Sequence, residues 1–217
     1  MIQFSGGTLI SISGIDGAGK STLIHHLQEF LQQEYGVSSR SIWCKFGNYP
    51  LNRYLPSKPT RQPQSPAHAY QLAKHPSITY TVYGQILLAL HLAQIALVVC
   101  RALEQDQFLI CDRYIFDTMV DLQQELHYSL AQAQHVLAAR WIPQPTHKFL
   151  LDLPADVAFT RKTDTRSFEF LQQRRGMYLD IAHLYNLTML NATWPAEQVA
   201  QIAQEKIMSN PQKVSNQ

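Results

Sequence analysis

The sequence predicts an α/β fold in which a five-stranded parallel sheet is covered by helices on both faces. Short runs of apolar and β-branched residues alternate along the chain with longer segments whose apolar residues have helical spacing. This alternation is typical of parallel sheets, because neighbouring parallel strands are joined by crossover helices. The chain has 217 residues, of which 46% are hydrophobic, and this is sufficient for one three-layer domain.

The first predicted strand, residues 8–13, leads into a glycine-rich segment, Gly14-Ile15-Asp16-Gly17-Ala18-Gly19-Lys20-Ser21-Thr22. This segment fits the phosphate-binding pattern G-x-x-x-x-G-K-[ST], and helical spacing follows it over residues 23–33. Its glycines let successive N–H groups point at one oxyanion, and the helix adds its positive N-terminal end. The motif therefore predicts a P-loop NTPase, for which we expect the strand order 2-3-1-4-5.

Each polar residue of this loop has an expected role in binding ATP and Mg²⁺. Lys20 supplies a mobile positive charge for the β- and γ-phosphates and is a candidate catalytic residue, and the Ser21 hydroxyl is placed to hold Mg²⁺. The residues expected to bind ATP through the loop are Gly14, Gly17, Ala18, Gly19, Lys20, Ser21 and Thr22.

The remaining elements follow from the same two patterns. After the first strand, the predicted strands are 41–44, 107–112, 148–153 and 187–190. The predicted helices after residue 33 are 81–103, 117–126, 129–141, 154–162, 167–185 and 195–208. Together they predict a single domain over residues 1–209 and a frayed tail over residues 210–217.

The longest irregular segment, about residues 46–80, has an uneven charge. Between Tyr35 and Leu103 the chain contains no acidic residue but seven basic ones, namely Arg40, Lys45, Arg53, Lys58, Arg61, Lys74 and Arg101. A solvated surface normally mixes both signs, so a segment of one sign indicates an anionic ligand. Long loops in compact domains are commonly functional, and we expect this one to bind the acceptor.

Further charged residues follow other predicted strands. Asp112 ends the third strand and is expected to be a second Mg²⁺ ligand, and Arg113 next to it is placed to neutralise phosphates during transfer. Arg161 and Arg166 lie after the fourth strand, where a lid over about residues 161–167 would close on ATP. The carboxyl ends of parallel strands meet at one edge of the sheet, so these residues are expected to converge with the phosphate loop.

The sequence offers no nucleophile paired with a general base. Its nine histidines are scattered, and His25 and His26 point to different faces of a helix. A nucleoside monophosphate acceptor needs no base, because its attacking phosphate oxygen is already ionised. Positioning and electrostatic stabilisation are then sufficient, so the pattern favours phosphate as the acceptor group.

Other features exclude several classes of protein. The N-terminal residues 1–7 lack the basic start and apolar core of a signal peptide. The apolar stretch 86–103 is interrupted by His91, Gln94 and Arg101, so a helix packed on the sheet is expected rather than a membrane span. The three cysteines show no metal-ligand spacing and indicate reduced thiols in a cytoplasmic protein.

The chain resembles the thymidylate kinase family in an ordered set of motifs from about Leu9 to Asn191. Residues 13–22 are similar to that family's phosphate loop, with an acidic residue at Asp16, and Asp112-Arg113-Tyr114 is similar to its D-R-Y motif. Residues 151–157 followed by Arg161 resemble its fourth strand and lid entry. The segment 167–171 with Arg175 and Tyr178 resembles the helix after the lid.

The resemblance implies transfer of a phosphoryl group from ATP to dTMP. It implies that Asp16 contacts the sugar 3′-hydroxyl of the acceptor, that Arg113 and Tyr114 bind the acceptor, and that Arg161 acts from the lid. Because Gly17 and Ala18 carry no charge, the chain resembles those members whose lid supplies the basic residue. A nearly uncharged helix over residues 80–103 further suggests a homodimer.

The chain departs from the family pattern mainly in the acceptor region. An R-x-P-type motif is replaced by residues 43–50, and Lys45 or the following Arg53 is the candidate substitute. Where the family usually has Ser a few places after the D-R-Y motif, this chain reads Tyr114-Ile115-Phe116-Asp117-Thr118. Two alternatives to dTMP phosphorylation therefore stay open. One is a kinase for another nucleotide, nucleoside or small acceptor, and the other is a non-catalytic nucleotide-binding regulator associated with nucleic acid.

Overall fold

The computed structural model describes residues 7–45, 78–125, 127–137, 142–161 and 167–209. It contains one sheet of five parallel strands in the order 2-3-1-4-5, which confirms the predicted fold. The strands are β1 (Thr8–Gly14), β2 (Arg40–Trp43), β3 (Phe108–Asp112), β4 (His147–Asp152) and β5 (Thr188–Asn191).

Seven helices are described around this sheet. They are α1 (Lys20–Tyr35), α2 (Ile78–Gln105), α3 (Ile115–Glu125), α4 (Leu130–Leu137), α5 (Ala155–Arg161), α6 (Phe168–Tyr185) and α7 (Ala196–Met208). Helix α1 begins at Lys20, earlier than its apolar spacing predicts, because Gly19 in a left-handed conformation ends the phosphate loop directly at the helix. Helix α2 begins at Ile78, so the last residues of the predicted loop 46–80 are helical. The other loop residues, 46–77, and the lid residues 162–166 lie outside the described part of the chain.

The strand order sets the layers through the handedness of the crossovers. The chain moves in one direction across the sheet from β1 to β2 through α1, and in the opposite direction through the later connections. Right-handed crossovers place helices on opposite faces when the direction reverses. Accordingly α1 packs against α7, whereas α3 packs against α6.

The core lies on both sides of the three central strands. In β1, β3 and β4, side chains of both faces are buried, as expected for a parallel sheet covered twice. Register brings Ile12 of β1 beside Asp112 of β3, and Gly14 beside Leu151 of β4. The ends of these strands, and the residues that follow them, therefore lie at one edge of the sheet.

Helix α2 is the most apolar helix of the described chain. Its segment Leu88–Gln105 is long and apolar enough to cross a membrane by length and composition, but 44% of this segment is buried inside the domain. Leu92, Ile95 and Val99 face the core. Core helices of globular domains pass the same test of length and composition, so we interpret α2 as a helix that packs on the sheet.

Candidate functional site

The phosphate loop is built from three glycines in backbone conformations that other residues rarely adopt. Gly14, Gly17 and Gly19 have φ angles of 146°, 87° and 88°. A Cβ atom at Gly14 would lie 2.7 Å from the carbonyl oxygen of Leu151, so β4 approaches the loop too closely for any side chain. The loop then ends at the N-terminus of α1, whose first N–H groups point towards it.

Lys20 folds back over this loop. Its ammonium group donates to the carbonyl oxygens of Gly14, at 3.0 Å, and Ile15, at 2.9 Å, and the side chain is buried. Burial is the main cause that lowers the pKa of Lys20 to about 8, and the positive charge of Arg113 lowers it further. An anion in the loop would favour the charged form of this lysine and complete its set of hydrogen-bond partners.

Asp112 and Ser21 are the two predicted magnesium ligands, and the structure places each at the same edge of the sheet as the loop. Ser21 is exposed in the first turn of α1. Oδ1 of Asp112 is buried at the end of β3 and has no hydrogen-bond partner among the described residues. Burial raises the pKa of Asp112, against the effect of Lys20 and Arg113. An unpartnered carboxylate oxygen and a hydroxyl group are oxygen donors that fit Mg²⁺.

Asp16 and Arg113 form an ion pair between the phosphate loop and the end of β3. Nη2 of Arg113 donates to Oδ1 of Asp16, whose side chain is 42% exposed, whereas that of Arg113 is only 4% exposed. Burial acts to raise the pKa of Asp16, but Arg113, Lys20 and Lys45 outweigh it and hold this pKa below its usual value. The acid and the arginine that the sequence analysis assigned to acceptor binding are therefore direct neighbours.

The other end of Arg113 is held by Asp117, a residue without a predicted role in the sequence analysis. Nη1 of Arg113 donates to Oδ1 of Asp117 at 3.1 Å, and it lies 3.2 Å from the hydroxyl oxygen of Tyr178. Despite burial, which lowers it, the pKa of Arg113 is raised by Tyr178, Asp117 and Asp16. Arg113 also has a left-handed backbone, with φ at 63°, which is uncommon for arginine.

A second buried ion pair lies one turn further along α3. Nη2 of Arg174 donates to Oδ1 of Asp121 at 2.6 Å, and Nη1 donates to Oε1 of Gln124 at 2.8 Å. The Arg174 guanidinium also lies over the ring of Tyr178, 5.5 Å from its centroid. This pair joins α3 to α6 behind the site, and within the described part of the chain it forms no hydrogen bond or ion pair with the phosphate loop.

Sequence reasoning missed Asp117, Asp121 and Arg174 because acidic and basic residues at helical spacing are ordinarily surface residues. One signal was available. Asp117 lies in the short segment after the D-R-Y motif where the chain departs from the family pattern, and an acidic residue in a mostly apolar helix start requires a buried partner.

Arg161 lies at the end of α5, which contacts the phosphate loop. The nearest atom to an added Cβ at Gly17 is the carbonyl oxygen of Ala158 in this helix, at 3.3 Å. One turn later, both terminal nitrogens of Arg161 lie 3.4 Å from the carbonyl oxygen of Ala192, beyond β5. Ala192 is adjacent to Asn191 and Thr193, which line a cleft of about 350 Å³.

Of the other predicted site residues, one lies near the site, one lies away from it, and two are outside the described part of the chain. Lys45 is half-buried after β2 and close enough to Asp16 to lower its pKa. Tyr114 does not reach the site, because its side chain is fully buried and its hydroxyl donates to the carbonyl oxygen of Pro143 at 2.9 Å. Its predicted contact with the acceptor is therefore not supported by its position. Arg53 and Arg166 lie outside the described residues.

Comparisons with known proteins all indicate the same family. The thymidylate kinase family model matches residues 68–202 of the chain. A probable thymidylate kinase of Metallosphaera sedula is 28% identical, with 92% of this chain and 91% of that protein covered. A probable thymidylate kinase of Methanospirillum hungatei is also 28% identical, with 92% and 93% covered. The probable thymidylate kinase 1 of Saccharolobus solfataricus is 29% identical, with 93% and 97% covered.

The family match begins after the phosphate loop. The loop geometry at residues 14–22 is therefore an observation independent of the matched segment 68–202. Asp112, Arg113 and Arg161 lie within that segment, and the fold brings Asp112 and Arg113 to the loop.

Proposed function

The chain belongs to the thymidylate kinase family and is a nucleoside monophosphate kinase, and we propose that it transfers the γ-phosphoryl group of ATP to dTMP with Mg²⁺. One observation carries the proposal. At a single edge of the sheet, an anion-binding loop adjoins a buried carboxylate oxygen that has no hydrogen-bond partner among the residues the structure describes, and an arginine that projects from the core. Donor phosphates, a divalent cation and an acceptor phosphate are the ligands that suit these three features.

The loop and Lys20 hold the donor in this proposal. The N–H groups of residues 17–22 surround the β-phosphate, and the Lys20 ammonium group exchanges its two carbonyl partners for phosphate oxygens. Ser21 and Asp112 would hold Mg²⁺, with the hydroxyl group and the buried carboxylate oxygen as its donors. When bound, the cation would neutralise negative charge on the donor phosphates.

Asp16 and Arg113 hold the acceptor. The exposed carboxylate of Asp16 accepts a hydrogen bond from the sugar 3′-hydroxyl, and Arg113 binds the phosphate that attacks. No general base is required, because the attacking oxygen carries no proton at neutral pH. Arg161 and Arg166 stabilise the transferring group from the lid, and Lys45 or Arg53 completes acceptor binding.

We further propose that residues 1–209 act as one cytoplasmic domain that pairs with a second copy through α2. Leu90, Leu97 and Val98 on this helix are exposed, at 44%, 59% and 40%. Adjacent exposed apolar side chains on one helix favour a buried interface between copies.

The test is release of ADP from ATP and Mg²⁺ with a panel of acceptors: dTMP, dUMP, UMP, CMP, AMP, GMP and thymidine. We expect the highest kcat/KM with dTMP. Lys20→Ala should lower kcat at least roughly 100-fold, because the donor loses its charge partner. Lys206→Ala, which removes an exposed lysine of α7, is the matched control and should leave the rate unchanged.

Turnover with a different acceptor alone would reject dTMP and favour the alternative of a kinase for another nucleotide or small acceptor. The departures of the acceptor region from the family pattern, among them Asp117, are the observations that favour this alternative. Absence of turnover with every member of the panel would reject the proposed reaction.

A further inference from the structure

We propose that Asp117 is a positioning residue for phosphoryl transfer, whose buried carboxylate fixes the guanidinium of Arg113 at the edge of the phosphate loop. The inference rests on the proposed function, because it assigns Arg113 to the acceptor phosphate. It goes beyond that function because Asp117 is fully buried and has no assigned role towards the donor or the acceptor.

The carboxylate of Asp117 is fully buried and accepts four hydrogen bonds. Oδ2 accepts from the hydroxyl of Ser13 at 2.6 Å and from the backbone N–H of Tyr114 at 3.1 Å. Oδ1 accepts from the hydroxyl of Tyr178 at 2.6 Å and from Nη1 of Arg113 at 3.1 Å. Each oxygen of this carboxylate accepts two hydrogen bonds, and the donors lie on different strands, helices and connecting residues. The carboxylate is therefore held in one orientation.

This arrangement gives the two terminal nitrogens of Arg113 different environments, one fixed in the core and the other directed at the site. Nη1 is held inside the core by Asp117 and Tyr178, so Nη2 projects towards Asp16 and the loop. A flexible arginine side chain loses considerable entropy when it is ordered by a ligand. Since Asp117 already orders the Arg113 side chain in the folded protein, little further conformational entropy is lost when the acceptor binds.

The backbone supports the same interpretation. Arg113 has a left-handed φ of 63°, and its N–H donates to the carbonyl oxygen of Ile12 at 3.0 Å. Unfavourable backbone conformations persist where the surrounding contacts determine them. Asp117 supplies such contacts to two consecutive residues. It accepts one hydrogen bond from the side chain of Arg113 and another from the backbone N–H of Tyr114.

The charge of Asp117 matters as well as its shape. A neutral side chain at this position would add no charge, whereas Asp117 adds a full negative charge in the core. Arg113 carries the matching positive charge at the same depth. Removing the charge of Asp117 while keeping its size should therefore loosen Arg113 selectively.

The first experiment compares Asp117→Asn with Asp121→Asn. Both residues are buried acids on α3, one turn apart, and each pairs with one arginine. Within the described part of the chain, Asp121 pairs with Arg174 rather than with Arg113, and Arg174 reaches the Asp117 network only through a longer bond, of 3.4 Å, to the Tyr178 hydroxyl. We expect Asp117→Asn to lower kcat/KM for dTMP on the order of 30-fold, with KM for ATP changed by less than about threefold. Asp121→Asn should change both constants by less than about threefold. Equal losses in the two variants would overturn the proposal.

A double-variant cycle then tests whether Asp117 acts through Arg113. In an Arg113→Lys background, Asp117→Asn should cost less than about threefold further, because the guanidinium that it positions is already absent. Additive losses would assign Asp117 a purely structural role and overturn the proposal. Tyr178→Phe, which removes one donor and keeps the ring, provides a milder variant and should lower kcat/KM roughly fivefold.

A second readout does not require activity. The Nη–H protons of Arg113 should give a protected signal in nitrogen-15 spectra of the full chain, assigned by its loss in Arg113→Lys. This signal should disappear in Asp117→Asn and persist in Asp121→Asn, and its persistence in Asp117→Asn would refute the positioning role. If the wild-type protein lacks turnover with every acceptor, the proposed function fails, while these spectra still decide whether Asp117 orders Arg113.

Discussion

Gly14 is constrained in two ways that a side chain would violate. Its φ angle of 146° is rarely adopted by other residues, and an added Cβ would lie 2.7 Å from the carbonyl oxygen of Leu151 in β4. Because that oxygen belongs to the backbone of a central strand, it cannot move aside cheaply. We therefore expect Gly14→Ala to lower the free energy of unfolding by roughly 3 kcal/mol and to reduce ATP binding.

Gly36 provides the matched control for this prediction. It also has a left-handed backbone, with φ at 66°, but its added Cβ would meet no atom within 4 Å, and it lies at the end of α1, remote from the loop. Gly36→Ala should cost only about 1 kcal/mol and leave ATP binding unchanged. Urea unfolding and calorimetric titration with ATP measure both effects. Equal destabilisation by the two substitutions would show that the contact with Leu151 contributes nothing.

Sequence reasoning at this scale succeeds where a motif fixes the local geometry and is incomplete where contacts come from distant elements. The spacing from Gly14 to Ser21 predicts a cradle, and the loop adopts the glycine conformations that a cradle requires. The four bonds of Asp117 could not be predicted, because two of its partners lie 104 and 61 residues away. Until the sheet and α6 bring those donors together, the residue is an ordinary acid in a helix.

At the scale of elements, α2 and α3 are joined by a buried polar contact. Nε2 of His91 lies 3.0 Å from Oγ1 of Thr118, and burial lowers the pKa of His91 to about 4. The unfolded chain, in which histidine titrates near pH 6.5, therefore binds a proton that the folded chain does not. The resulting stability is complete above about pH 6.5 and is lost as the pH falls towards 4, by up to about 3 kcal/mol.

His91→Gln tests this pH dependence. Glutamine retains a polar group for Thr118 but does not titrate, so the variant should lose less stability than the wild type between pH 7 and pH 4. Urea unfolding at several pH values gives the two slopes, and subtraction removes the contribution of every other titrating group. Identical slopes would mean that His91 is protonated in the folded protein as readily as in the unfolded chain.

For the whole molecule, alternating apolar periods were enough to predict a parallel sheet covered by helices, and the strand order was predicted together with the family resemblance. Right-handed crossovers leave few arrangements for five parallel strands, so the order is open to prediction. The ends of the elements were less predictable, since they depend on contacts. Helix α1 begins at Lys20 because Gly19 ends the loop there, and α2 begins at Ile78 although its apolar spacing indicates residue 81.

The quaternary structure can be tested on the exposed face of α2. Leu97 is 59% exposed, so in an isolated chain Leu97→Arg should change the free energy of unfolding by less than about 0.5 kcal/mol. In a dimer formed through α2, the same substitution buries two unpaired charges at the interface and should produce monomers. Light scattering at micromolar concentration should therefore give twice the chain mass for the wild type and the single mass for Leu97→Arg.

Leu184→Arg is the matched control for this prediction. It alters an equally apolar side chain on α6 that is 46% exposed, and it should leave the dimer intact. A wild-type monomer, or a dimer that Leu184→Arg dissociates instead, would place the contact elsewhere than α2.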